Sequence, residues 1–374
     1  MTVEDKKEFR RHEHYMSRCL ELAEKGAGYV SPNPMVGSVL VLDGQIIGEG
    51  YHEQYGAPHA EVNAIASVKD SEQLHESTLY VNLEPCSHHG KTPPCSDLII
   101  QKNIPRVVVA CRDPHRKVAG RGIQKLLDAG VEVIEGVLEE RSLKLNEAFI
   151  KSHVKNLPFV SLKLGQTIDG KIATVNGLSK WITGQPARDH VHLLRSCYDA
   201  VLTGSGTIVA DDPLLTVRHL PGRNPLRVIL DRRLQLPDTV NVYNSEASTI
   251  VFTSVDSGDT SAKKERLQQK GVEVVCVRER DGRLDLEEIL RLLHVKGVLS
   301  VFVETGSRLS GSLLQSGLVD KIYLYIAPKI FGGDGLDSFA PLGVDSPQGA
   351  ISLRFEPPVF FGNDILLESY VFLR

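Results

Sequence analysis

The residues best equipped for chemistry gather between positions 59 and 95 of the chain. His59-Ala60-Glu61 sets an imidazole and a carboxylate two positions apart where an apolar helical pattern, AEVNAIASV, begins. Cys86 and Cys95 follow, nine positions apart, each directly after a proline, and they flank the polar loop SHHGKTPP. One imidazole and two thiolates make three corners of a tetrahedral zinc site that keeps its fourth corner for water. Zinc brings the pKa of such a water toward about 7, and a carboxylate beside the metal can take its proton and pass it to a departing amine. This is the H-x-E…P-C-x-x-C logic of nucleobase deaminases, which remove an amino group from a nitrogen heterocycle. Here the second spacing is wider, C-x8-C. H-x-E alone is common by chance. A structural zinc site, with His88 or His89 as fourth ligand, is the competing reading.

The second half has no comparable metal set, so its chemistry must rest on a cofactor or on shape. Two glycine-rich turns follow apolar strands: Thr203-Gly204-Ser205-Gly206-Thr207, and Glu304 through Gly311. The second opens the apolar segment SLLQSGLVD, so its amides are placed to hold a pyrophosphate at a helix N-terminus. A dinucleotide fingerprint is not met, because GSGTIV lacks the third glycine and Asp211-Asp212-Pro213 cuts the expected helix short.

The elements that must position these groups read as α/β in both halves. A helix is expected over 12–25, strands over SVLVLDG and QIIGEGYH joined at Asp43-Gly44, and a helix from His59. A strand at STLYVNLEPC, a helix at CSDLIIQK, a strand at RVVVAC, a helix at GIQKLLDAG and a strand at VEVIEG complete the first half. The boundary is expected near 150–157, before the strand FVSLKLG. Further strands are expected around 199–204, 226–231, 249–253, 272–277, 299–304 and 321–327, with helices between. A chain of 374 residues fits two domains, and 41% hydrophobic with 24% charged residues is an ordinary soluble composition. A net charge of -4 gives no reason to expect nucleic acid, and no apolar run reaches the roughly 18 residues of a membrane span. The polar start argues against a signal peptide and for a cytoplasmic setting. Cys19, Cys111, Cys197 and Cys276 are therefore expected as small buried hydrophobes.

The order SPNPMVG, HAE, EPCSHHGKTPPC resembles the deaminase domain of the bifunctional riboflavin-biosynthesis deaminase/reductases. The resemblance continues through SLKLGQTIDGKIA, SKWITG, LTGSGTIVADDPLLTVR and VFVETGSRLSGSLL, nearly the whole chain. It implies a cytidine-deaminase-like α/β/α domain over 1–152, followed by a dihydrofolate-reductase-like α/β domain over 153–374. The implied reactions are hydrolysis of the 2-amino group of a diamino-ribosylamino-pyrimidinone phosphate, then NADPH reduction of the ribosyl group to ribityl. The resemblance puts zinc on His59, Cys86 and Cys95, the proton shuttle on Glu61, and deaminase substrate on Asn33, His52, His88 and Lys91. It puts NADPH on Gly165, Trp181, Thr207, Asp211, Gly306, Ser307, Arg308, Leu309, Ser310 and Gly311. Reductase substrate falls to Ser179, Arg195, Leu215, Arg218 and Glu304, with Arg195 and Arg218 as a phosphate clamp. Lys163 and Asp169 are expected to orient the opened sugar, and Arg232 and Arg233 to meet the 2′-phosphate of NADPH. Some of these residues have a plainer alternative: a surface charge for the arginines, a core side chain for Trp181, a solvated polar loop for His88, His89 and Lys91. Small-molecule substrates and a homo-oligomer are implied. Two other readings stay open, a single-activity deaminase with a dead second domain and a structural-zinc scaffold.

Overall fold

The computed structural model describes residues 3–87, 93–114, 119–256 and 258–372, with side chains from residue 9 onward. It divides into two compact units, Met1–Asn156 and Leu157–Arg374. The 152/153 cut drawn from sequence falls inside the last helix of the first unit.

In the first unit a helix α1 (Val3–Glu24) precedes the hairpin β1 (Gly37–Leu42) and β2 (Gln45–Tyr51). Asp43 and Gly44 both take positive φ, 50° and 78°, the two-residue turn whose twist suits a hairpin. Then come α2 (Ala60–Ser67), β3 (Thr78–Leu83), α3 (Cys95–Gln101), β4 (Arg106–Cys111), α4 (Arg121–Asp128), β5 (Glu132–Glu135), α5 (Glu139–Leu145) and α6 (Glu147–Lys155). The sheet order is β2-β1-β3-β4-β5, antiparallel on the hairpin side and parallel from β3 to β5. Strand residues split by parity. Leu40, Leu79, Val81, Val107 and Val109 enter one core, and Val39, Val41, Tyr80, Val108 and Ala110 the other. Both faces are thus covered, and the layers are α/β/α. Burial of each such valine or leucine contributes about 1.5–3 kcal/mol.

The second unit runs β6 (Phe159–Thr167), β7 (Lys171–Ala173), α7 (Gln185–Cys197), β8 (Ala200–Gly204), α8 (Ser205–Asp211), β9 (Leu226–Leu230), β10 (Thr249–Ser254), α9 (Ser261–Gln269) and β11 (Val272–Val277). After a small ribbon, β12 (Glu279–Arg280) with β13 (Arg283–Leu284), come α10 (Leu286–Val295), β14 (Ser300–Glu304), α11 (Ser307–Gln315) and β15 (Lys321–Ala327). The chain then forms β16 (Leu336–Asp337), which pairs with β7, and β17 (Ser352–Phe355), β18 (Val359–Phe361) and β19 (Asp364–Phe372). The sheet order is β11-β10-β9-β8-β14-β6-β15-β19-β17, parallel as far as β15, with β18 also on β19. The central parallel strands are buried on both faces, which is why they read as unbroken apolar runs. From β8 the chain winds outward to β11, returns to β14 between β8 and β6, and then crosses to β15. The carboxyl ends of β8, β14 and β6 therefore flank a topological switch, the place where open α/β sheets bind ligands.

Two expectations need correction here. The C-terminal antiparallel strands β17–β19 and the helices α5 and α6 were not anticipated. Cys276 is exposed, with the Lys264 ammonium 3.2 Å from its sulfur, while Cys19 and Cys111 are buried and Cys197 is half-buried. Cys276 shares its face of the edge strand β11 with buried Val272 and half-buried Val274, and that face opens to solvent toward the strand's end.

Candidate metal centre and reductase cleft

The first site sits at the start of α2 and the loop after β3. The helix lies tightly on β2 because Gly48 and Gly50 lack side chains; a Cβ at Gly50 would sit 2.5 Å from the Ala64 amide nitrogen. The Asn63 amide bonds the Tyr51 carbonyl at 2.8 Å and fixes the rotation of that helix. His59 is its N-cap and Glu61 lies in its first turn, 3% exposed.

The Nδ1 of His59 is 3.3 Å from Cys95 Sγ and 3.6 Å from Cys86 Sγ, and the three donor atoms all lie within 4.8 Å of one another. Donors on a tetrahedral zinc, bonded at about 2.0 and 2.3 Å, lie roughly 3.6–3.8 Å apart, so the set fits that ion. One imidazole and two thiolates also select zinc over hard cations. The Cys95 amide donates to Cys86 Sγ at 3.2 Å. That thiol is lowered to about 4, first by the hydrogen bond from the Cys95 thiol and then, against burial, by His59. Cys95 is raised, first by Cys86 and then by burial. Burial, followed by the Cys86 thiolate, pushes the Glu61 carboxyl up to about 7, near the pH where a group both takes and gives a proton.

Asn33 and His52 join this site. The His52 ring lies edge-on to His59, centroids 5.4 Å apart. Its Nδ1 is 3.0 Å from the Pro58 carbonyl, which can only accept, so Nδ1 carries the proton and Nε2 accepts from the Asn33 amide at 3.0 Å. Burial lowers the His52 pKa and keeps the ring in this neutral form. The Asn33 loop is itself clamped by residues that sequence reasoning missed. Asn146 bonds both the amide and the carbonyl of Met35, and Asn82 bonds the Met35 carbonyl and the Gly37 amide, all at 2.8–3.0 Å. Asn146 comes from a distant helix boundary, and no local pattern marks it. His88 and Lys91 lie outside the described residues.

In the second unit the switch point gathers most of the expected positions. Glu304, at the end of β14, receives Arg195 in a two-pronged pair, Nε to Oε1 at 2.5 Å and Nη2 to Oε2 at 3.0 Å. Lys163 on β6 stands 4.0 Å from the same carboxylate. Burial lowers the Lys163 ammonium, opposed by Glu304. Glu304 stays ionised against its burial because Arg195 holds its pKa down. Neutral His192, lowered to about 4 by burial and then by Arg195, accepts the Arg218 amide through Nδ1 at 3.3 Å. The two glycine turns meet. A Cβ on Gly204 would touch Leu309 at 3.6 Å and Thr305 at 4.0 Å. Thr207 and Asp211 lie on α8 beyond that turn, and Lys180 reaches Asp211 at 3.8 Å. Gly165 faces Thr183 and Lys163, and Arg188, bonded to the Thr183 carbonyl, stacks 4.5 Å from the Trp181 ring. Ser179, two residues before Trp181, is half-buried.

Several expectations change. The fork of Arg195 donates to Glu304 and the Thr216 carbonyl, while Arg218 is exposed. Leu215 is 2% exposed and its side chain packs in the core, so it offers a ligand at most its backbone, held at φ 54°. Asp169 is exposed, accepts the Phe331 and Gly332 amides and pins that turn. Trp181 is 62% exposed, against a core role. Arg232 pairs with Glu279 at 3.1 Å, and Arg233 is exposed. Helix α11 starts a turn earlier than expected, at Ser307 after Gly306, so Ser307 to Gly311 are helical and Ser310 and Gly311 are buried. Its first amides have no side-chain cap, which suits a pyrophosphate and fits NADPH there.

Comparison with known proteins places both halves. Residues 9–111 match the model of the cytidine and deoxycytidylate deaminase zinc-binding region, and residues 158–367 match the RibD C-terminal domain. The chain is 43% identical to the riboflavin biosynthesis protein RibD of Aquifex aeolicus over 95% of this chain and 97% of that one. The chain belongs to the RibD family. Two solved structures agree with this assignment. RibD of Acinetobacter baumannii superposes with a TM-score of 0.87 at 35% identity, covering 98% of this chain and 100% of that one. A diaminohydroxyphosphoribosylaminopyrimidine deaminase/5-amino-6-(5-phosphoribosylamino)uracil reductase of Thermotoga maritima gives 0.86 at 42% identity, covering 97% and 99%. RibD family members pair a deaminase with a reductase in riboflavin biosynthesis, and this chain has both domains, with zinc and NADPH as its cofactors.

Proposed function

We propose that the first unit deaminates a 2,5-diamino-6-ribosylamino-pyrimidinone phosphate and that the second reduces the ribosyl group of the product to ribityl. The observation that carries this reading is the triad of donor atoms at His59, Cys86 and Cys95 with buried Glu61 beside it. Bound zinc supplies a Lewis acid that makes water acidic near neutral pH, and bound NADPH supplies a hydride. Glu61 takes the water's proton and delivers it to the departing amine. Asn33, its amide turned to His52, offers its side-chain oxygen to the N–H groups of the heterocycle. His88 and Lys91 are proposed to meet the substrate phosphate.

In the second unit Lys163 and Glu304 are proposed to hold the opened sugar, with Ser179 and the Leu215 backbone beside it and Arg218 on its phosphate. Gly165, Trp181, Thr207, Asp211 and the start of α11 are proposed to hold the cofactor. Arg195 fixes the Glu304 carboxylate. Arg195→Met is expected to leave that buried charge with only the more distant Lys163 as an ion-pair partner, at a cost of up to about 3–5 kcal/mol, and to depress NADPH oxidation. Thermal unfolding of the full chain checks it, and an unchanged melt would remove Arg195 from this role. A cytoplasmic setting is supported by six free cysteines, and a homo-oligomer by the exposed edge strand β17.

The test is sequential. Adding the pyrimidinone phosphate to zinc-loaded protein should release ammonia, and NADPH consumption should begin only after that release. NADPH oxidation of the undeaminated substrate at the same rate would defeat the proposed order. Zinc with four protein ligands would favour the scaffold reading instead.

A further inference from the structure

A second carboxylate stands beside the ligand loop and has no part in the proton transfer just described. Glu84 follows β3 directly, is 4% exposed, and continues the ladder by donating its amide to the Cys111 carbonyl at 3.0 Å. Its side chain accepts four backbone N–H groups. Oε2 takes Asp113 at 3.1 Å and Gly120 at 2.9 Å; Oε1 takes Gly122 at 2.8 Å and Ile123 at 3.3 Å. Gly122 and Ile123 are in the first turn of α4, whose own N-cap, Gly120, has no side chain to close it. Glu84 therefore caps that helix from another strand, where a negative charge is favoured.

Glu84 stands two residues before Cys86 in the chain. A Cβ at Gly122 would lie 2.0 Å from the Pro85 carbonyl oxygen and 3.2 Å from Glu84 Oε1, so the start of α4 presses on the peptide just before Cys86. Cys86 has no helix of its own to hold it. Its sulfur must nonetheless keep 3.6 Å from His59 Nδ1.

We propose that Glu84 is a positioning residue for the metal centre: its carboxylate locks the start of α4 against Pro85 and thereby sets the place of the Cys86 thiolate. The proposal rests on His59, Cys86 and Cys95 being the zinc ligands. Glutamine at this position keeps the shape but turns an NH2 group toward two amide donors, so the lock opens without a cavity.

The experiment compares zinc-loaded full-length chain with Glu84→Gln and Gly122→Ala, the latter displacing Pro85 while keeping the carboxylate. Zinc release to a chromogenic chelator is expected to be about 10–100-fold faster in both, as for lost outer-shell partners. The rise in unfolding temperature that zinc confers on the apo chain is expected to shrink in both. A role in folding alone would lower apo and loaded melts together and leave zinc release unchanged, which overturns the proposal. So would insolubility of both variants, since the contact would then serve the fold itself. If the unmodified chain retained no zinc, the ligand assignment would fail and not the role of Glu84.

Discussion

Glu61→Gln is expected to slow ammonia release by roughly two to four orders of magnitude, the range of a lost general acid–base group, while the protein keeps its zinc. Glutamine matches glutamate in volume, so the first turn of α2 should keep its packing against β2. What disappears is the carboxylate that accepts a proton. Glu61 is buried beside the donor set and is not one of its three members, which separates carrying a proton from holding the ion. Metal content measured beside the ammonia assay checks both halves. Normal turnover would exclude Glu61 as the shuttle, and loss of zinc would make it a ligand.

Cys95→Ser is expected to do the opposite with the metal. The serine hydroxyl does not ionise near neutral pH, so one of three donors is lost at a fully buried position, and zinc binding should weaken by more than about 100-fold, beyond the loss of an outer-shell partner. Ammonia release should vanish with it. NADPH oxidation of supplied aminouracil phosphate should continue, because every residue proposed for that step lies within Leu157–Arg374, a unit with its own core. Joint loss of both activities would show that the reductase needs an intact deaminase.

Much of this architecture was legible because its signals are local. Parallel strands buried on both faces appear as apolar runs such as RVVVAC and RVIL, and the Asp43-Gly44 pair marks a turn that few other residues form. The late antiparallel strands escaped notice because β17 is exposed along its whole length and β18 nearly so, which erases the alternation that reveals a strand. Helix α11 begins a turn before the sequence pattern suggests because Ser and Gly read as loop, while the helix starts at Ser307 and brings Gly311 close against Ala340.

Residue type and order along the chain already mark His59, Cys86 and Cys95 as a candidate donor set and Glu61 as the carboxylate proposed to carry the proton. What each charged group is left free to do depends on packing. Arg195 and Arg218 look alike in sequence, yet one is buried against Glu304 and the other is exposed. Glu84 and Asn146 are unremarkable letters whose work is to hold backbone from distant segments. Hydrogen bonding saturates a side chain within about 3 Å, and which partners come that near is settled by how the sheet and helices pack, not by spacing along the chain.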